Sequence, residues 1–262
     1  MIIDAHGLLC IGKAEIADKP SLKILWKEAF EDSDGFIDLF FETAFSPDRC
    51  RVVRDGDEAV AALYIFDCEA FGKKTAYIYA VATRKSHRGR GLCARLMEDT
   101  HAYLADVGYS MAVLVPSEPS LFGFYEKLGY KTASFLSEYD VKASARGALL
   151  ERIDRYEYAR LRRKLLPQNG VVQEGANLDF FSGYASFYKG EGFVLAGYVD
   201  GGKLFCAELL GDCGQMGDIL SALGCKSGSF RTPQGENLRP FAMGYPLDGN
   251  YLPELYFGLA FD

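Results

Sequence analysis

The sequence predicts an α/β fold over residues 1–141, joined by a linker at 142–150 to a smaller α+β domain over 151–262. Three observations predict it. An apolar strand, Thr75 to Ala82, runs through a basic, glycine-punctuated turn into an amphipathic helix that starts at Leu92. A second strand, Ser110 to Val115, breaks at Pro116-Ser117-Glu118-Pro119-Ser120 and leads into a short helix, Leu121 to Leu128, ended by Gly129. Past residue 140 the small-residue stretch Lys142-Ala143-Ser144-Ala145-Arg146-Gly147 separates this unit from further helices and a hairpin.

In chain order, Asp18 is the expected N-cap of a helix carrying Leu22, Leu25, Trp26, Ala29 and Phe30, with Pro20 in its first turn. Asp34 is the expected cap of a second helix through Phe36, Leu39, Phe40 and Phe45, whose aromatics read as core. Arg51 to Arg54 and Ala59 to Phe66 form a hairpin around Asp55-Gly56-Asp57. After the strand and turn, apolar residues recur at Leu92, Leu96, Met97, Tyr103, Leu104 and Val107 with charged residues between them, the helical period. The second half reads as a helix from Glu151 to Leu166, a helix from Leu178 to Tyr188, and a hairpin of Gly192–Val199 with Lys203–Leu210 turning at Asp200-Gly201-Gly202. A helix from Met216 to Leu223 and strands near Phe241 and Tyr256 complete it. That order repeats the first half, as a degenerate second copy would; an unrelated α+β domain is the alternative.

The turn Arg88-Gly89-Arg90-Gly91-Leu92-Cys93-Ala94 is an anion site by construction. The first turn of a helix leaves amide hydrogens unpaired and gathers partial positive charge, so phosphate binds there. Gly89 and Gly91 let the main chain approach a pyrophosphate, and Arg88 and Arg90 add positive charge. The alternative is an ordinary tight strand-to-helix connection, in which the glycines permit the turn and the arginines are solvated.

These segments resemble the GNAT superfamily of Gcn5-related acetyltransferases. The Arg/Gln-x-x-Gly-x-Gly/Ala pyrophosphate loop of that family stands here as Arg88-Gly89-Arg90-Gly91-Leu92-Cys93, with Cys93 departing at the last position. Its Tyr-Glu-Lys-Leu-Gly-Phe signature stands as Tyr125-Glu126-Lys127-Leu128-Gly129-Tyr130. The Val-Ala-Thr run at 81–83, four residues before Arg-Gly-Arg-Gly-Leu, is similar to the enhanced-intracellular-survival branch, and the resemblance covers roughly residues 8–140. It implies a mixed, mostly antiparallel central sheet flanked by helices, with a splayed cleft for acetyl-coenzyme A as cosubstrate. Val81, Ala82 and Thr83 would hydrogen-bond the pantetheine arm like an added strand. Gly89 through Ala94 would hold the pyrophosphate, while Ser117 and Glu118 would meet the pantetheine or cap a helix instead.

The resemblance also implies acetyl transfer to a primary amine of a small molecule or peptide by direct attack, with Tyr125 as the general acid that protonates the leaving thiolate. Tyr125 otherwise reads as a core aromatic beside Leu121, Phe122, Phe124 and Leu128. Candidates for the base are Glu69, Tyr77, Tyr79 and, through the same branch, the terminal carboxylate at Asp262.

Composition bounds these readings. The chain has 262 residues, 49% of them apolar, enough for one large or two small cores. The net charge of −7 argues against nucleic acid and favours a cationic acceptor. No segment approaches a membrane span, and Met1 to Cys10 lacks the form of a signal peptide, so a cytoplasmic location is expected. Seven cysteines without a Cys-x-x-Cys pair and three scattered histidines give no disulfide framework and no metal site. Gly89-x-Gly91-x-x-Ala94 also fits a dinucleotide fingerprint, but five polar residues precede Gly89 and no acid ends a strand about twenty residues on. A non-catalytic acyl-coenzyme A sensor is the other alternative.

Overall fold

The computed structural model describes residues 2–4, 7–233 and 235–261. The first half runs β1 (Ile2–Asp4), β2 (Gly7–Lys13), α1 (Lys19–Phe30), α2 (Asp34–Thr43), β3 (Cys50–Asp55), β4 (Glu58–Ala70), β5 (Lys73–Thr83), α3 (Leu92–Asp106), β6 (Met111–Leu114), α4 (Phe122–Lys127) and β7 (Lys131–Lys142). The second runs β8 (Glu151–Ile153), α5 (Arg155–Leu165), β9 (Val172–Gln173), α6 (Ala176–Phe181), β10 (Ser186–Gly190), β11 (Phe193–Asp200), β12 (Lys203–Gly211), α7 (Met216–Ala222), β13 (Ser227–Thr232) and β14 (Arg239–Pro246). No helix among the described residues is long and apolar enough to cross a membrane.

The strands form one 14-stranded sheet, in the order β1-β2-β3-β4-β5-β6-β14-β7-β13-β12-β11-β10-β8, with β9 on β4. Among the described strand pairs, β5–β6 and β12–β13 are parallel and the rest antiparallel, the mixed, mostly antiparallel α/β sheet expected. The halves repeat one connection order. Strand, two helices, three antiparallel strands, helix and parallel strand describe both β2 through β6 and β8 through β13, with β9 as an extra strand in the second set. β5 and β12 each carry an extra residue opposite their partner strand.

The halves are not separate in space. β14 wedges between β6 and β7, so the sheet of the first half is completed from the second. On one face α1, α2, α5 and α6 share a single apolar core, with Trp26, Phe40, Phe180, Phe257 and Phe261 in it. α3 and α4 cover a second core on the first half, and α7 a third on the other. The stretch 142–150 lies against α7, with the amides of Ser144 and Ala148 bonded to the carbonyls of Gly217 and Asp218.

Local departures from the sequence expectation have local causes. Asp18 makes no capping bond to α1; its carboxylate takes Arg54 Nε at 2.9 Å and the Glu15 amide at 2.6 Å. Burial alone would raise its pKa, and these bonds outweigh that and lower it. Ser33, not Asp34, caps α2, its Oγ accepting from the Phe36 amide. Glu151 to Ile153 pair as β8 with β10, and the helix begins after Asp154, whose Oδ1 accepts from the amides of Tyr156 and Glu157 at 2.9 and 2.8 Å. The helix expected from Leu178 to Tyr188 ends at Phe181, and Tyr188 stands in β10.

Candidate active site

β5 and β6 pair only at Thr75–Met111, Ala76–Ala112 and Tyr77–Val113 and then part. The cause is in β5, where the register with β4 shifts between Tyr79 and Ala82 and Ala80 takes φ 48°, a conformation disfavoured for a residue with a Cβ. The gap opens into a cavity of about 300 Å³. Tyr77, Tyr79, Ala80 and Val81 line it from β5, Leu114, Val115 and Ser117 from the end of β6, and Tyr125 from α4.

The turn leaving β5 is tied down on its flanks. Arg84 pairs with Glu58 and Glu28, and Arg88 Nε donates to the Thr83 carbonyl at 3.1 Å. Gly89 and Gly91 take φ 77° and 72°, and a Cβ at either would meet nothing within 4 Å. Handedness of the backbone, not crowding inside the protein, therefore requires glycine there. α3 has no side-chain cap, and its first helical bond at this end runs from the Arg95 amide to the Gly91 carbonyl. The amides of Leu92, Cys93 and Ala94 thus lack a helical acceptor and face an end of positive dipole. Burial pushes the Cys93 thiol up to about 11, so this position carries no negative charge near neutral pH. The corresponding turn of the second half is closed by its own acid: Asp212 accepts the Gly214 amide at 2.8 Å and the Gln215 side chain at 2.9 Å.

Among the residues named for a carrier, the Ala82 and Thr83 backbones face β4 on one side, opposite Ala62 and Ala61, which leaves the other edge toward the gap. The Thr83 hydroxyl at the end of β5 is buried with no hydrogen-bond partner among the described residues. Ser117 lines the cavity, whereas Glu118 is exposed outside that lining and accepts from the Ser120 hydroxyl at 3.2 Å. Tyr125 is 8% exposed, and burial raises its pKa well above the usual phenol range, with the nearby Cys93 adding to the shift.

Among the base candidates, Tyr77 and Tyr79 line the cavity, and the Tyr77 hydroxyl accepts from the Phe261 amide at 3.4 Å. Glu69 is exposed, with Lys74 and Val172 as its strand neighbours, and does not line the cavity. Asp262 lies outside the described residues.

Two groups of lining residues stand outside the site residues named from the sequence, although the resemblance implies that the first two helices wall an acceptor site, and their aromatics read there as core by default. Trp26, Phe30, Asp32 and Phe36 form the wall from α1 and α2, with Asp32 accepting from Trp26 Nε1 at 2.8 Å. Ala260 and Phe261 enter from the far end of the chain. An acid between two aromatic helices and the apolar run Leu255 to Phe261 were the available signals.

The family model for the acetyltransferase (GNAT) domain matches residues 11–133, the span that builds both the glycine turn before α3 and the parted strands. Residues 11–133 are a GNAT acetyltransferase domain. Solved GNAT structures share the fold over nearly the whole chain. A GCN5-related N-acetyltransferase from Kribbella flavida aligns with a TM-score of 0.68 at 17% identity, covering 92% of this chain and 72% of its own. One from Anabaena variabilis gives 0.71 at 14% identity, over 92% and 73%. Eis1 from Mycobacterium abscessus gives 0.67 at 12% identity, over 92% and 74%. No curated protein matches the sequence. The GNAT assignment replaces the dinucleotide alternative for Gly89-x-Gly91-x-x-Ala94.

Proposed function

We propose that this GNAT protein transfers the acetyl group of acetyl-coenzyme A to a primary amine of a small molecule or peptide by direct attack. The observation that supports the reading is that the end of β5, Ser117 and Tyr125 line one cavity, and that β5 runs on directly into the glycine turn before α3. The diphosphate of the carrier suits the amides of Leu92, Cys93 and Ala94, with Gly89 and Gly91 shaping the turn and Arg88 and Arg90 adding charge. The pantetheine amides suit Val81, Ala82 and Thr83, the orphan Thr83 hydroxyl and Ser117.

The amine nitrogen attacks the thioester carbonyl carbon, the carbon–sulfur bond breaks, and the thiolate takes the Tyr125 phenol proton. The attacking nitrogen loses its proton to solvent or to a cavity base, for which Tyr79 and Asp32, both in the lining, are the candidates. Burial raises the Tyr125 pKa, so the phenol carries its proton in the resting site and is available as the donor. Asp32 and the aromatic wall of Trp26, Phe30 and Phe36 favour an ammonium group carried on an apolar or aromatic body.

Release of free coenzyme A from acetyl-coenzyme A across a panel of amines tests the reading. Amine-dependent release far above the buffer rate is expected. Tight carrier binding with release no faster than buffer would instead make the protein a non-catalytic acyl-coenzyme A sensor.

A further inference from the structure

The segment Leu255–Phe261 has almost no regular structure, yet all of its apolar side chains are buried. A buried irregular segment is stable only when its backbone polar groups find partners. Here the partners come from both halves. The Leu255 amide bonds the Ala133 carbonyl at 2.8 Å, the Tyr256 amide bonds the Asn169 carbonyl at 2.9 Å, and the Phe257 amide bonds Ser134 Oγ at 3.0 Å. The Tyr256 hydroxyl reaches Glu208 at 3.1 Å, and Gly258 passes so close to that carboxylate that a Cβ would overlap it.

Gln173 makes the last of these ties before the cavity. Its Nε2 donates to the Leu259 carbonyl at 2.6 Å, and its Oε1 accepts the Leu259 amide at 3.1 Å. One side-chain amide thus does for Leu259 what a neighbouring strand would do. Gln173 is itself set by β9, where it stands opposite Cys68 of β4. The two residues after Leu259 are Ala260 and Phe261, both in the cavity wall. The Phe261 ring packs 4.9 Å from Phe66, 5.4 Å from Tyr77 and 5.5 Å from Tyr79.

We propose that Phe261 sets the size of amine the cavity accepts, and that Gln173 is the positioning residue that holds it there. This rests on the acetyltransferase reading of the cavity. It gives the second half, whose own phosphate turn is closed by Asp212, a function at the site of the first. Gln173 acts only through the backbone of Leu259. Replacing it by Leu keeps the volume and removes both bonds, so the tail loses its tie beside the aromatic wall and the cavity widens.

The test uses the full chain in the forms Gln173→Leu, Gln173→Glu and Phe261→Ala. The probes are acetyl-coenzyme A with two amines, 2-phenylethylamine and the bulkier 2,2-diphenylethylamine. Gln173→Leu and Phe261→Ala are expected to shift the kcat/KM ratio between the two amines by about tenfold toward the bulkier one. Acetyl-coenzyme A affinity should stay within about twofold, since no carrier contact is touched. Trp26 is the only tryptophan and lines the same cavity, so its emission reads the opening without any turnover. A red shift in Gln173→Leu, with far-UV circular dichroism unchanged, is expected. Should Gln173→Leu fail to fold, Gln173→Glu decides: it keeps the acceptor for the Leu259 amide, loses the donor to its carbonyl, and should shift both readouts in the same direction. Unchanged amine preference together with unchanged Trp26 emission overturns the proposal. Failure of the wild type to acetylate any amine would remove the acetyltransferase reading, while Trp26 emission would still decide whether Gln173 positions the tail.

Discussion

Arg162 and Glu208 face each other in a bidentate pair, Nε at 2.7 Å and Nη2 at 2.9 Å from the two carboxylate oxygens, with side-chain exposures of 2% and 0%. Tyr158 and Tyr256 donate to the same carboxylate at 2.6 and 3.1 Å, and Arg162 Nη1 donates to the Val171 carbonyl at 2.9 Å. Burial works against the charge on Arg162, but the carboxylate outweighs it and raises the guanidinium pKa. Helix α5, strand β12 and the tail are thereby tied at one point. Removing one partner strands the other charge in the core, so Arg162→Met or Glu208→Gln should cost about 3–5 kcal/mol. The pair Arg162→Met with Glu208→Leu should recover part of that loss, leaving chiefly the two orphaned phenols. Urea midpoints of the three variants check the order.

The turn proposed to hold the diphosphate is legible because it is local. Two glycines at positive φ between arginines at a helix start are written in seven consecutive residues, and Tyr125 follows in a second short motif. What could not be read was which distant segments meet. Nothing near Arg239 says that β14 will wedge between β6 and β7, and nothing near Asp18 says that Arg54 will draw its carboxylate away from the helix end. Tyr188 was misplaced for a related reason. Leu178, Phe181 and Ala185 recur at helical spacing, but the chain turns at Gly183 so that Phe187 can stack on Tyr158 at 4.5 Å. The cavity wall from Asp32 and Phe261 likewise exists only once residues far apart in the chain are packed together.

Tyr125→Phe keeps the ring against Phe124 and Tyr130 and removes only the proton donor. Turnover should fall about 10²-fold or more, with coenzyme A affinity nearly unchanged. Because burial raises this pKa, the wild-type phenol stays protonated through ordinary alkaline buffers, and loss of the acid should not limit kcat below about pH 10. Steady-state rates from pH 7 to 10, beside calorimetric titration with coenzyme A, separate the two effects. A kcat in Tyr125→Phe equal to wild type would remove Tyr125 from the chemistry.

Gly91→Asp places a side chain at φ 72° and a negative charge beside the uncapped amides of α3. The conformation alone costs about 1 kcal/mol, which Gly91→Ala isolates. The added charge should lower coenzyme A affinity at least about tenfold beyond the Ala variant, and raising salt should shrink that gap. Arg88→Ala should weaken binding less, because the main-chain donors remain and Arg88 is exposed. Titrations at low and high ionic strength check the ranking, and equal affinities across all three variants would place the diphosphate elsewhere.

His101 supplies a pH test of the fold on the opposite side of α3. Its Nε2 lies 2.8 Å from the Tyr130 hydroxyl, and its ring stacks on Tyr245 at a centroid distance of 4.1 Å. Burial lowers its pKa to about 4, so the folded protein holds it neutral where an unfolded chain takes up a proton near pH 6.5. The unfolded state therefore binds more protons between those values, and stability should be full above about pH 6.5 and decline as pH falls toward 4. The loss is of order 2–3 kcal/mol across that window. His101→Gln can keep a bond to Tyr130 without titrating. It should start less stable at pH 7, through loss of the stacked ring, and then fall less steeply than wild type between pH 6.5 and 4. Urea unfolding at pH 7, 5.5 and 4.5 measures both slopes; parallel slopes would mean that His101 is protonated in the folded protein, and that the α3–β14 contact tolerates its charge.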